Sequence, residues 1–194
     1  MKKVLLQTKW VIALFCIQFV SMAATAQVKY HAKDNVQSII KGTSTLHDWS
    51  MQASKGECIA TFTLNAAEKL TGLQSLFFSM PVEGLKSDHS AMDKNAYKAL
   101  KTSQYPVITY NLSSASLAPD GSIKCQGKLT IAGTTVDAGL LAFAKVNPDK
   151  SIAISGTKKI SMKDFNIEPP TFMLGAIKTG NDITLQFDLT LAKQ

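Results

Sequence analysis

Along most of this chain apolar and polar residues alternate with a period of two, and few other patterns constrain a fold so tightly. Successive side chains on a strand point to opposite faces, so the alternation describes strands that are buried on one side. The last run is the cleanest: Ile183, Leu185, Phe187, Leu189 and Leu191 face one way, and Thr184, Gln186, Asp188 and Thr190 the other. Similar runs occupy residues 36–50, 57–65, 72–82, 107–117, 122–132, 134–146 and 151–162. Together they predict about eight strands.

The separators are short and rich in turn residues: Lys55-Gly56, Pro119-Asp120-Gly121, Ala132-Gly133, Asn147-Pro148-Asp149 and Thr179-Gly180-Asn181. Short connections between long strands favour an antiparallel meander. The expected class is therefore all-β, an antiparallel barrel whose closure removes exposed edges and leaves room inside for one ligand. A two-sheet sandwich would use the same strands around a filled core, and periodicity does not separate the two. One short α-helix is expected over residues 90–102, with Ser90 as N-cap and Asp93 in the first turn. It ends before Tyr105-Pro106, because proline disfavours helical geometry in the residue before it. The run Glu168 to Gly175 contains Pro169 and Pro170 and reads as an ordered loop with unusual apolar weight.

Lys2 and Lys3 precede an apolar stretch from Trp10 to Val20, followed by small residues through Ala26. That is the layout of a signal peptide over residues 1–26, too short and too diluted by Gln18 to serve as a membrane span. The expectation is cleavage after Ala26, a periplasmic or secreted product with no stable membrane insertion, and one domain over residues 27–194. The formal charge is +7, and three of the lysines lie in the leader. So mild an excess, with no arginine anywhere, predicts no nucleic-acid partner. Cys58 and Cys125 both fall at inward positions of their runs, as two buried thiols or one interior disulfide.

Candidate chemistry is sparse. His31, His47 and His89 have no second ligand at a recognised metal spacing, so no metal site and no cofactor are expected. His47 and Asp48 are neighbours on a strand and point to opposite faces, which separates them as an acid–base pair. No serine sits in a hydrolase elbow, and no glycine-rich phosphate loop is present. No catalytic residue is assigned. Apolar capacity is what the chain offers. Small residues Gly42 and Ser44 thin one wall, and Leu140 and Ala142 lie on an apolar face whose alanines are Ala138, Ala142 and Ala144. Phe78, Met80 and Leu46 add interior surface. Met92, Tyr97 and Leu100 would line the covering helix, and Phe172, Met173 and Leu174 would close a mouth. These residues are the expected lining of a pocket for a long apolar chain.

Several segments also resemble the YceI-like family, lipocalin-like polyisoprenoid-binding proteins of the bacterial periplasm. Gly127-Lys128-Leu129-Thr130-Ile131-Ala132-Gly133-Thr134-Thr135 is similar to that family's strand-turn-strand signature. Tyr105-Pro106-Val107-Ile108-Thr109-Tyr110, Ile160 to Ile167 and Gly180 to Leu185 fit in the same order. The resemblance covers most of residues 28–192. It implies a lipocalin-like barrel with a helix at its side, enclosing a tunnel for an isoprenoid or similar lipid, in a carrier or store. The chain departs from the family where Met92-Asp93 replaces a frequent Arg-Asp and where Met162 to Asn166 replaces a typical Arg and Gly. The leading expectation is thus an exported binding protein for a polyisoprenoid, isoprenoid quinone or fatty acyl chain, as a monomer or homodimer, and not an enzyme. Its rivals are a lipid-modifying enzyme with His47, Asp48 or His89 at the barrel mouth, and a solid-cored interaction module.

Overall fold

The structure, a computed structural model, describes residues 25–34 and 36–194. In chain order its elements are β1 (Ala26–Lys33), β2 (Val36–Ser44), β3 (Trp49–Ala53), β4 (Glu57–Leu64), β5 (Leu70–Pro81), α1 (Ser90–Ala99), β6 (Val107–Leu117), β7 (Ser122–Ile131), β8 (Thr134–Val146), β9 (Ile152–Ser161), β10 (Thr171–Phe172) and β11 (Ile177–Lys193). β1 and β2 form one bent arm, β3 and β4 the next. The bends meet where the Asp34 amide donates to the Gly56 carbonyl at 2.9 Å. With each bent arm counted once, the result is the closed antiparallel eight-stranded barrel that the alternation predicted. Every neighbour in the ring is also a neighbour in sequence, and β11 closes it by pairing with β1 at Tyr30↔Lys193 and with β2 from Thr179↔Ser44 to Leu189↔Val36. Closure leaves few free edges among the described residues: β3, beyond its ladder with β2, makes one bridge from Gln52 to Lys86.

The two ends of the barrel differ. At one end lie the β4–β5, β6–β7 and β8–β9 turns, and here the interior is filled by Tyr30, Val36, Phe62, Ile152 and Leu191, all between 0% and 2% exposed. Tyr30 and Phe62 meet edge to face, with ring centroids 5.7 Å apart. The β6–β7 and β8–β9 turns share one device. Asp120 accepts from the Ser122 amide and hydroxyl at 2.9 and 2.7 Å, and Asp149 accepts from Ser151 at 3.0 and 2.6 Å. Those bonds to the charged form hold both carboxyls below their ordinary range. At the opposite end lie the β2–β3 turn, residues 82–106 with α1, the two-residue turn Ala132-Gly133, and residues 162–176. Ala132 and Gly133 have φ of 49° and 79°, as a two-residue hairpin turn demands.

Several boundaries differ from expectation. β1 was not anticipated, although Val28, Tyr30 and Ala32 alternate with Lys29, His31 and Lys33. Its inward positions Tyr30 and Ala32 keep the parity of Val36 and Ser38 in β2, but exposed Asp34, at φ 56°, interrupts the alternation between them. The run 36–50 is two strands, since Ser44 accepts from the Leu46 and His47 amides and folds the chain back. Gly180-Asn181 is not a turn but an irregularity inside β11, whose register shifts between Thr179 and Ile183. The helix starts at Ser90 with His89, not Ser90, in the cap position, and no side chain caps it. Asp93 instead turns to the preceding loop and accepts from the Ser87 amide and hydroxyl, both at 2.7 Å. The signal peptide expected over residues 1–26 lies outside the described residues except for Thr25 and Ala26.

Candidate functional site: an apolar cavity open at one end

Inward-facing side chains of β2, β3, β5, β6, β7, β8, β9 and β11 surround a cavity of about 400 Å³. Its floor is formed by Ile123, Cys125, Ala142, Ile154 and Leu189, where the filled half of the barrel begins. Its mouth lies at the opposite end, bounded by Leu46 and His47 of the β2–β3 turn, His89 and Ala91 at the start of α1, and Pro170 and Phe172. α1 covers one side because Met92, Asn95, Ala96, Ala99 and Leu100 fall at helical spacing on one face, and all of them line the cavity.

Of the residues expected to line a pocket, Ser44, Leu46, Phe78, Met80, Met92, Leu100, Leu140, Ala142 and Phe172 do line this cavity. Three do not. Gly42 is covered: Trp49, paired with it across the β2–β3 hairpin, lies where a Cβ at Gly42 would have to stand. The small residue makes room for an indole rather than for a void, and it is Trp49 that borders the cavity. A glycine inside a strand often marks such a close approach. Gly156 does the same for the ring of Phe187. Tyr97 is absent from the lining because five residues of helix turn it about 140° away from Met92. Its hydroxyl donates to the Leu85 carbonyl at 2.6 Å, and the Lys86 ammonium sits 5.0 Å from its ring centre. Tyr97 therefore fastens the helix rather than lining the pocket. Met173 is also outside, since Met173, Leu174 and Gly175 all have positive φ and the chain there swings outward. Leu174 is fully exposed and Met173 nearly so.

Sequence reasoning missed Trp49 and Lys158. The signal for Lys158 was present: Ile152, Ile154, Gly156, Lys158 and Ile160 share one parity of β9, so the inward face carries a lysine. Lys158 is half-buried, lines the cavity, and stands across from Leu185 of β11.

Catalytic geometry is not assembled among the described residues. His47 Nδ1 lies 2.6 Å from the Asp48 carbonyl oxygen, which it can only approach as a donor. Among the described residues no hydrogen bond joins the imidazole of His47 or His89 to a carboxylate or hydroxyl; their bonds to the Ser44 and Ser87 hydroxyls are made by the backbone. His31 and Glu57 do meet, at 2.9 Å, but on the outer face of the wall, because Tyr30 and Ala32 take the inward positions. No group of three potential metal ligands occurs among the described residues.

Cys58 and Cys125 are both buried as free thiols, which resolves the choice left by their spacing. Burial pushes Cys58 up to about 12 and Cys125 to about 11. The fold thus favours the protonated thiol. That contribution is fully present below the ordinary thiol value of about 9 and is lost as pH rises toward the folded value. Urea midpoints should therefore fall from about pH 9 upward, with Cys58 contributing up to about 1.4 kcal/mol per pH unit. The Cys58→Ala variant should show a flatter alkaline limb. An identical limb in both proteins would assign the alkaline loss to other groups.

The sequence model of the YceI-like domain matches residues 24–191. The chain belongs to the YceI-like family. No curated protein matches it. Among solved structures, BcnA of Burkholderia cenocepacia is similar, with a TM-score of 0.68, 14% identity, and coverage of 81% of this chain and 96% of that one. A polyisoprenoid binding domain from Saccharophagus degradans gives a TM-score of 0.64 at 10% identity, covering 87% of this chain and 100% of its own. The Campylobacter jejuni YceI protein gives 0.55 at 20% identity, covering 71% and 81%. At these identities the likeness is one of fold. This chain's own cavity is lined mainly by apolar side chains, with a few polar ones among them. Among the described residues no helix is long and apolar enough to cross a membrane.

Proposed function

We propose that this YceI-like protein is an exported carrier or store for a long apolar chain, held in the barrel interior and admitted at the α1 end. The leader over residues 1–26, cleaved near Ala26, would place it in the periplasm or outside the cell. The observation that carries the reading is the contrast between the two halves of one barrel. One half is packed shut, and the other keeps an apolar cavity of about 400 Å³ with a mouth. Protein interiors normally pack to crystal density, and an apolar void forfeits the contacts its lining could make. A chain that enters recovers them and gains about 0.8 kcal/mol per buried CH₂ before ordering costs. Affinity then needs few polar contacts, in keeping with so apolar a lining. The polyisoprenoid binding domain among its structural neighbours supports an isoprenoid as one cargo class, beside a quinone tail or a fatty acyl chain. A solid-cored interaction module would have both halves filled. The acid–base pair on which the enzyme reading rested is not formed by the imidazoles of His47 and His89 among the described residues.

The test is native mass spectrometry of the protein purified without detergent, followed by organic extraction. A stoichiometric prenyl or acyl compound is the expected result. A clean apo mass, with no uptake of added long-chain quinone, prenol or fatty acid, overturns the proposal.

A further inference from the structure

Taking the cavity as a lipid site, its charge is one-sided. Lys158 is the one residue of its lining, among the described residues, that carries a fixed charge, and no aspartate or glutamate borders it. Its cross-strand neighbour is Leu185, and it takes part in none of the ion pairs among the described residues. The polar residues that share the cavity are Ser38, Ser44, His47, His89, Asn95 and Thr179, none of which supplies a negative charge. An ammonium in an apolar wall is costly unless something pairs with it. Lys158 lies three residues inside Ser161, the end of β9 at the mouth, which is about 10 Å of strand. At that depth a lysine lays its stem along the apolar wall and keeps its head toward the wet end. No side chain among the described residues supplies its counter-charge, and an acidic occupant would.

The geometry points to a single-chain acidic amphiphile as the cargo, with its carboxylate or phosphate monoester on the Lys158 ammonium and its chain running down to Ala142 and Ile154. A head group at this depth leaves the floor to the hydrocarbon and the rim to solvent.

Trp49, which borders the cavity and is the one tryptophan in residues 27–194, reports on filling through its fluorescence. Delipidated protein is titrated with hexadecanoate, hexadecyl phosphate and hexadecan-1-ol, which share a chain and differ in head group. At least one of the two anions should bind about tenfold or more tightly than the alcohol, as a charge-assisted pair requires. Whichever anion is tighter identifies the head group. Lys158→Met should remove the preference by weakening the anion and sparing the alcohol, and Lys158→Arg should keep most of it. Equal affinity for all three ligands, or an anion preference unchanged in Lys158→Met, overturns this inference while leaving the carrier reading in place. No binding by any of the three overturns both. The comparison of ligands on the unaltered protein stands even if a variant fails to fold.

Discussion

Truncating Phe62 to alanine should cost about 3–5 kcal/mol of folding stability, while the same truncation at Phe78 should cost clearly less. Both are phenylalanines on neighbouring strands of one barrel. Phe62 is fully buried in the filled half, edge to face with Tyr30 and cross-paired with Val28 and Leu73. Its removal loses transfer energy, a rigid aromatic pair and contacts on all sides, and leaves a void that the closed ring of strands has no freedom to collapse. Phe78 faces the cavity and is only partly buried, so part of its ring has no partner to lose in the empty protein. Urea denaturation of both variants at neutral pH measures the difference. A bound chain should narrow it by supplying Phe78 with the missing contacts. Equal costs in the delipidated protein would mean that the cavity collapses in solution, and the carrier reading would lose its main support.

Filling the floor should act on ligand and fold in the opposite proportion. Ala142 is 3% exposed, lies between Ile123 of β7 and Gly156 of β9, and borders the cavity. Ala142→Trp places an indole where the end of the chain would lie. The expected result is loss of most bound lipid in the native mass spectrum, with retained β-sheet circular dichroism and a stability cost of no more than about 1–3 kcal/mol from local overpacking. Leu140→Trp, two residues nearer the mouth on the same strand face, provides a second block should the floor prove too tight. Ser44, also a small lining residue, is a poor site for this test: its hydroxyl donates to the His47 carbonyl at 2.7 Å and accepts from two amides, so substitution would unmake the β2–β3 turn. Lipid occupancy unchanged in both tryptophan variants would place the cargo elsewhere on the molecule.

Much of the architecture was legible because a strand writes its orientation into every second residue. The runs 107–117, 122–132 and 134–146 match β6, β7 and β8 to within a residue at each end. The same parity placed Phe78, Met80, Leu140 and Ala142 on the cavity wall. The helix was also legible, from Met92, Ala96 and Leu100 at turns of its face, and so was its end before Tyr105-Pro106. Where the reading failed, side chains had to be placed relative to partners far away in sequence. Gly42 looked like missing volume because the indole that covers it arrives from another strand, and Gly180 looked like a turn because nothing local distinguishes a turn from an irregular stretch within a paired strand. Met173 and Leu174 looked like a closure because hydrophobicity says nothing of backbone sign, and positive φ sends both outward.

Alternation, turn residues and one amphipathic segment therefore determined by themselves that this chain is a set of antiparallel strands with a helix beside them, since local geometry alone decides which way each side chain faces. Closure into a barrel rather than a two-sheet sandwich was decided by the pairing of β11 with β1 and β2. Which half of that barrel is solid and which is hollow was decided only by tertiary structure. Packing density depends on which side chains meet across the interior. Tyr30 meets Phe62 at one end, while at the other Lys158 and Phe78 border a shared space, and no span of consecutive residues records either meeting.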